Sequence, residues 1–252
     1  MRPICLGALM VLAATACTSP TITVDFAAGY GSYRHDTSGD GGASTGSTDG
    51  VYLRLRTEGV GEEAFGGGFS LEAAASDDDL FDDLGVGDTS GSIGDLFIHA
   101  TAVPLRGERF WLPIRVGPYY RATRIGLDDS PGDEEITWRG LGARVEVEPE
   151  FWFLRSDRVS LAIVGDASFG YHGTSIDVDS DSLGISDDFD GDGKSVGASL
   201  GMLALFGKHF SMRLGYAYRA THESESDDNN GISVRSMDAS FSGVVLQLGV
   251  RF

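Results

Sequence analysis

The last sixteen residues of the chain, 237–252, alternate between apolar side chains and polar or small ones. Five apolar residues share one parity: Val244, Leu246, Leu248, Val250 and Phe252. The positions between them include Gly243, Gln247, Gly249 and Arg251. Side chains two residues apart lie on the same face of an extended strand. The segment is therefore predicted to be a β-strand with one apolar and one polar face, needed up to its last residue.

Similar alternation recurs along most of the chain and predicts ten strands. Their approximate spans are 21–34, 50–58, 64–75, 92–104, 109–124, 137–153, 158–172, 195–206, 209–221 and 237–252. The joins after even-numbered strands are brief, whereas those after odd-numbered strands are long and polar. Because the second span is short, merging or losing one hairpin would give eight strands instead.

This alternation, with its final Phe252 and its short joins at one rim, resembles that of bacterial outer-membrane β-barrel proteins. The resemblance covers about residues 21–252 and identifies no subfamily. It implies an all-β, antiparallel, up-and-down transmembrane β-barrel in the outer membrane, with turns in the periplasm and loops outside the cell. It also implies contact with outer-membrane lipid and recognition of the C-terminal strand, with Phe252 as its signal, by the barrel-assembly machinery.

The period of two does not by itself decide which face points inward. A soluble barrel of the lipocalin kind would enclose its apolar face, so a lipidated soluble barrel that binds an apolar ligand is one alternative. Three features indicate that the apolar face points outward into lipid. The strands are long enough to cross a bilayer, aromatic residues lie near both strand ends, and the polar face mixes glycine with both signs of charge.

Composition narrows the class of protein further. No stretch after residue 20 approaches the roughly 18 consecutive apolar residues of a membrane-spanning helix, and the mean hydropathy is -0.06. A barrel, which shows only half of its residues to lipid, is compatible with this value. The formal net charge of -19 argues against nucleic acid as a partner, because phosphates would be repelled.

The N-terminal residues 1–16 are predicted to be a signal peptide, which leaves residues 17–252 as the barrel domain. Arg2 precedes a short apolar core, and small residues precede Cys17. Cys17 would be the new N-terminus, either lipid-modified, as in a lipoprotein, or free after ordinary cleavage. Either outcome removes Cys5 and excludes an intramolecular disulfide bond.

The polar face carries nearly balanced charges that would all point into the barrel. The residues predicted to form this interior network of ion pairs are Arg54, Arg56, Glu72, Asp95, Arg115, Arg121, Arg144, Glu146, Glu148, Asp166, Arg213, Arg219 and Arg251. An unpaired buried charge costs several kcal/mol, so these groups are expected to pair and to fill the lumen. The alternative is a narrow passive channel for small solutes, although barrels of about eight strands are filled by their own side chains.

The predicted outer loops are acidic and contain one partial calcium motif. Asp188, Asp190 and Asp192 open a D-x-D-x-D-G pattern, in which alternate carboxylates supply oxygen ligands. The twelfth position is Ser199 rather than a bidentate Glu. The motif therefore predicts at most weak binding of calcium or another divalent cation.

No catalytic motif matches the sequence, and no enzyme activity is predicted. His172 with Asp166 or Ser168, and His99 with Asp95, share inward faces. Residues so spaced along one strand stand roughly 13 to 20 Å apart and cannot form a catalytic pair. The predicted role is structural or one of surface interaction, with no cofactor other than weakly held calcium.

Overall fold

The chain forms a closed antiparallel β-barrel. This computed structural model describes residues 21–39, 42–76, 89–127, 134–180, 185–225 and 234–252. The predicted signal peptide and Cys17 lie outside the described residues, as do parts of the predicted acidic outer loops, at 77–83, 128–129, 133, 181 and 227–228. Within the described ranges, no helix is long and apolar enough to cross a membrane.

Eleven stretches of strand build the barrel. They are β1 Thr21–Gly39, β2 Gly42–Val60, β3 Phe65–Ser76, β4 Thr89–Arg106, β5 Phe110–Leu127, β6 Glu134–Val147, β7 Glu150–Leu154, β8 Val159–Ser180, β9 Ile185–Phe206, β10 Phe210–Glu225 and β11 Val234–Arg251. Neighbours in sequence pair with one another, except that β6 and β7 both pair with β5 and β8, and β1 pairs with β11 to close the cylinder.

Strands β6 and β7 are the two halves of one membrane-spanning strand. Both lie between β5 and β8, and the break falls at Glu148 and Pro149. Proline has no backbone N–H to contribute to a ladder. The barrel therefore has the ten predicted spans, and the alternative of eight is excluded.

Four strand pairs are joined by short turns at one rim, which we call the turn end; the opposite rim is the loop end. At the turn end the observed strand bounds lie within two residues of the predicted spans. In membrane barrels the short turns lie in the periplasm. The backbone of Phe252 extends the closing ladder there, because its N–H donates to the carbonyl of Ile22 at 2.9 Å.

At the loop end the strands run further than predicted. Gly39 pairs with Gly42, and Ser180 pairs with Ile185, so two of the predicted long loops are instead paired strands. The prediction was wrong because it required an apolar face. Beyond a bilayer the outward face of a strand contacts water, so backbone pairing continues without an apolar outer face.

The apolar face of the barrel points outward. Leu141 and Leu200 expose 70% and 64% of their surfaces, whereas Arg115 and Arg144 on the other face expose 2% and 3%. Exposed aromatic side chains near the turn end include Phe65, Phe110, Phe151 and Phe210, and those nearer the loop end include Tyr30, Tyr120, Tyr171 and Tyr218. An apolar belt between aromatic girdles is typical of a barrel in lipid. The soluble-barrel alternative required an apolar interior and is contradicted.

Candidate functional site

The lumen holds a continuous network of ion pairs, because every second residue of each strand points inward and many of these are charged. Seven guanidinium groups and seven carboxylates belong to it, each within 4.0 Å of an opposite charge. The members are Arg54, Arg56, Arg115, Arg121, Arg144, Arg213, Arg219, Asp25, Glu58, Glu72, Asp95, Glu146, Glu148 and Asp166. We call this set the ion-pair network; its formal charge is zero.

Arg115 forms one centre of the ion-pair network, with three carboxylate partners. Its Nε and Nη2 atoms each lie 2.8 Å from a carboxylate oxygen of Glu58. Its Nη1 atom lies 2.8 Å from Glu148 and 3.0 Å from Glu146. Arg56 approaches the same Glu148 at 2.6 Å. Forked guanidinium–carboxylate bonds of this kind are stronger and more directional than neutral hydrogen bonds.

A second centre lies nearer the loop end. Arg121 donates to both carboxylate oxygens of Asp95, at 2.6 and 2.5 Å. Arg144 contacts Glu72 at 2.9 Å, Asp95 at 3.3 Å and Glu146 at 3.3 Å. Since Glu146 also bonds Arg115, the two centres form one network that crosses the lumen.

A third group of contacts connects β8, β9 and β10. Arg219 lies 3.2 Å from Asp166, and Arg213 lies 3.5 Å from it. The Ser199 hydroxyl donates to Asp166 and accepts from Arg213 at 2.6 Å. These contacts extend the ion-pair network around the barrel wall.

The structure brings twelve of the thirteen predicted lumen residues together and leaves Arg251 apart. Arg251 points into a cavity at the turn end and forms no ion pair with any described residue. Glu58 belongs to the ion-pair network, although the sequence interpretation placed it at a strand end and omitted it. The continued alternation through Arg54, Arg56 and Glu58 was the available signal.

Nearer the loop end, three strands supply a buried hydrogen-bonded chain. His172 bonds the Tyr119 hydroxyl through Nδ1 and lies 2.7 Å from Glu223 through Nε2. Thr174 and Thr221 donate to the same carboxylate at 3.1 and 2.7 Å. His172 is 1% exposed and Glu223 is fully buried. Such burial favours a structural role, because these hydrogen-bonded side chains are not accessible to a substrate.

The pairs that the sequence offered for these histidines are not the ones observed. His172 contacts neither Asp166 nor Ser168, and its partners lie on β5 and β10. His99 lies against Thr101 at 3.2 Å and 4.0 Å from Glu58, rather than beside Asp95.

Glycines make room for the buried chain, and this predicts a packing effect. A Cβ atom at Gly170 would lie 2.8 Å from the Tyr119 hydroxyl and 2.5 Å from Ser195 Oγ. Overpacking a filled interior costs typically 1–3 kcal/mol. Gly170→Val is therefore expected to lower the free energy of unfolding by about 1–3 kcal/mol, measured by urea titration in lipid vesicles. Gly173→Val is the matched control, because no atom lies within 4 Å of the added Cβ; equal losses would contradict the packing argument.

An apolar cluster fills the lumen on the loop-end side of the ion-pair network. Its buried members are Ala27, Tyr33, Tyr52, Ala74, Ile93, Ile125, Trp138, Met237, Ala239 and Phe241. The rings of Tyr52 and Phe241 stack with centroids 5.4 Å apart. Two cavities between this apolar cluster and the ion-pair network measure about 20 Å³ each, room for about one water molecule. Charged and apolar layers together leave no wide passage through the described barrel.

The partial calcium motif lies in β9 rather than in a loop. Asp188, Asp190 and Asp192 pair with Asp177, Ser175 and Gly173 of β8. Alternate residues of a strand are roughly 6.6 Å apart, so the extended backbone does not wrap around an ion as a calcium loop does. Among the described side chains, no three acidic, histidine or cysteine groups are placed to hold a metal ion.

The chain is similar in fold to solved outer-membrane β-barrels. No family model matches the chain, and no curated protein matches it. The crystal structure of the outer-membrane protease OmpT from Escherichia coli is similar over 94% of this chain and 100% of that chain, with a TM-score of 0.54 and 11% identity. The chain has the fold of a bacterial outer-membrane β-barrel. At this identity the likeness to the protease concerns the outer-membrane barrel fold alone.

Two other solved outer-membrane barrels match with lower TM-scores. The translocator domain of the autotransporter NalP from Neisseria meningitidis has a TM-score of 0.46 and 10% identity, covering 98% of this chain and 94% of that chain. Ail of Yersinia pestis has a TM-score of 0.31 and 14% identity, covering 93% and 100%. The outward apolar belt and the barrel fold together support the predicted outer-membrane location.

Proposed function

We propose that this protein is a structural, surface-interaction barrel of the outer membrane with a closed lumen. The observation that carries the proposal is the neutral ion-pair network beneath the apolar cluster. A solute crossing the lumen would have to separate buried ion pairs, and leaving a buried charge unpaired costs about 3–5 kcal/mol. The narrow passive channel is the alternative that this filling disfavours.

The length of the strands supports a role at the cell surface. β8 and β9 contain 22 residues each, about twice the 9–11 residues that cross a bilayer. With the turn end in the periplasm, the remaining length of this hairpin projects outside the cell. The rigid barrel thus holds an acidic β-ribbon above the membrane, where a partner could contact it.

Conductance measurements test the closed lumen. The refolded protein, added to a planar lipid bilayer, is expected to produce no discrete current steps. Heat-modifiable migration on a gel and flotation with vesicles establish that the protein is folded and inserted. Reproducible steps from the folded wild-type protein would contradict the proposal and favour the channel.

We further propose weak calcium binding by the projecting ribbon. Asp177 is directly opposite Asp188, and like charges in that position repel. A divalent cation would relieve this repulsion, with a dissociation constant of about 10⁻⁴–10⁻³ M, as in extracellular calcium modules. Calorimetry is expected to show binding that Asp188→Asn with Asp190→Asn abolishes, while Asp157→Asn at the turn end has no effect. Absence of heat from the wild-type protein would contradict this expectation.

Two partner relationships complete the proposal. We propose that outer-membrane lipid surrounds the apolar belt and that the barrel-assembly machinery recognises β11 with Phe252. Replacing Phe252 with Ser is expected to slow assembly in cells without changing the fold of protein refolded in detergent. Normal assembly of that variant in cells would contradict a signalling role for Phe252.

A further inference from the structure

The turn end of the barrel contains a cavity of about 350 Å³ beneath the ion-pair network. Arg56, Arg115 and Glu148 of the network line it. Ligand sites have volumes of roughly 300–1,000 Å³ and often lie in the mouths of β-barrels. We propose that this cavity binds a small organic monoanion with a flat apolar body, which enters from the periplasm.

One side of the cavity is apolar. Trp152, Val164 and Leu203 are buried members of a second apolar cluster, against which Leu205 packs. All four side chains line the cavity, together with Trp111. Two indole rings and three aliphatic side chains offer a flat ligand surface both stacking and apolar contact. This composition distinguishes the cavity from the adjacent ion-pair network.

The charges that line the cavity favour an anion. Three arginines and three carboxylates of the lining belong to the ion-pair network and compensate one another: Arg56, Arg115, Arg213, Asp25, Glu58 and Glu148. The other charged lining residues are Arg106, Arg155, Arg251, Glu62 and Glu150. One positive charge is therefore in excess. Arg251 adds a guanidinium group that interacts electrostatically with Glu150 but lies within 4.0 Å of no described carboxylate.

Two of these guanidinium groups are held by rings rather than by carboxylates. The Arg155 Cζ atom lies 4.8 Å from the ring centroid of Trp152, and the Arg106 Cζ atom lies 5.3 Å from that of Trp111. A guanidinium stacked on an aromatic face keeps N–H donors at its edge. Glu150 accepts from the Trp152 indole N–H at 2.9 Å, which fixes that ring. Each indole ring thus lies beside a guanidinium group. An aromatic sulfonate or carboxylate could stack on the ring while its anionic group accepts hydrogen bonds from the guanidinium.

Calorimetry with naphthalenesulfonate and its uncharged sulfonamide tests the proposal. The full barrel is reconstituted in nanodiscs, and the heat from empty nanodiscs is subtracted to remove partitioning into lipid. The sulfonate is expected to bind at least about tenfold more tightly than the sulfonamide, since a charge-assisted hydrogen bond contributes about that factor. Arg251→Gln is expected to weaken sulfonate binding about tenfold. Arg158→Gln, the same charge change at the same rim but outside the lining, leaves binding unchanged.

A second variant keeps the test decisive if Arg251→Gln fails to fold. Leu205→Trp fills part of the cavity and is expected to weaken binding of both probes, with folding verified by heat-modifiable migration. Equal affinity for sulfonate and sulfonamide, binding no stronger than that to empty nanodiscs, or binding unaffected by both variants would overturn the proposal.

Discussion

Arg115→Met is expected to lower the free energy of unfolding by about 3–5 kcal/mol, the cost of removing one partner from a buried ion pair. The change leaves Glu58 without its forked partner and removes a 2.8 Å contact from Glu148 and a 3.0 Å contact from Glu146. Methionine retains much of the side-chain volume, so the loss reports charge rather than a cavity. Urea titration in lipid vesicles, followed by tryptophan fluorescence, measures the difference from the wild-type protein.

Arg251→Met is the matched control for that loss. It makes the same chemical change at another inward position, but Arg251 forms no ion pair within the described part of the chain. It is expected to lower the free energy of unfolding by less than about 1 kcal/mol, the scale of a substitution that removes no specific contact. Arg115→Met with Glu58→Met should recover part of the stability, because removal of both partners leaves fewer unpaired charges. Equal losses for the two single variants would contradict the importance of the ion-pair network.

Opening the lumen is expected to create a conductance that the wild-type barrel lacks. The variant replaces Glu72, Arg144, Trp138 and Phe241 with alanine. It removes the 2.9 Å ion pair between Glu72 and Arg144, the contacts of both residues with the rest of the ion-pair network, and two large rings of the apolar cluster. Formal charge is unchanged. Because the barrel wall is held by backbone ladders, the vacated interior is expected to fill with water and to carry ions. Planar-bilayer recording should then show discrete current steps.

The control for this variant truncates four outward side chains instead: Leu141, Leu214, Val244 and Leu246, all exposed at the barrel surface. That variant should show no current steps, because its truncated side chains contact lipid and the lumen remains filled. Gel migration must show that both proteins are folded and inserted. If the four-alanine variant inserts but shows no current steps, Glu72, Arg144, Trp138 and Phe241 do not block the lumen as the structure indicates.

The sequence allowed the membrane-crossing part of each strand to be predicted, but not its outer half. Within the bilayer one face must be apolar, so the period of two is visible, as in β11. Outside the bilayer that requirement ends. β8 was predicted to stop at residue 172 and continues to Ser180; β9 was predicted to begin at 195 and begins at Ile185. Glycine, serine and aspartate are frequent there, and pairing through the backbone needs no continuous apolar face.

The inward face of each strand was predictable, whereas the partners across the lumen were not. His172 bonds residues of two other strands, and Arg251 is the one predicted network residue that stays apart. Such contacts depend on strand tilt and stagger around the barrel, which alternation within one strand does not encode. The apolar cluster was also missed, because Trp138 and Phe241 were not recognised as apolar residues on the polar face.

The most direct test of the account is a cysteine scan of positions 244–249 in β11. Cys5 and Cys17 are replaced with serine, and an environment-sensitive fluorophore is attached to one introduced cysteine at a time, with a quencher carried on lipid chains. Labels at 244, 246 and 248 are expected to be quenched, whereas cysteines at 245, 247 and 249 are expected to react little with the fluorophore in the folded barrel and to show no quenching, because the lumen is filled. Quenching at the odd positions, or no alternation, would contradict an apolar exterior around a charged lumen.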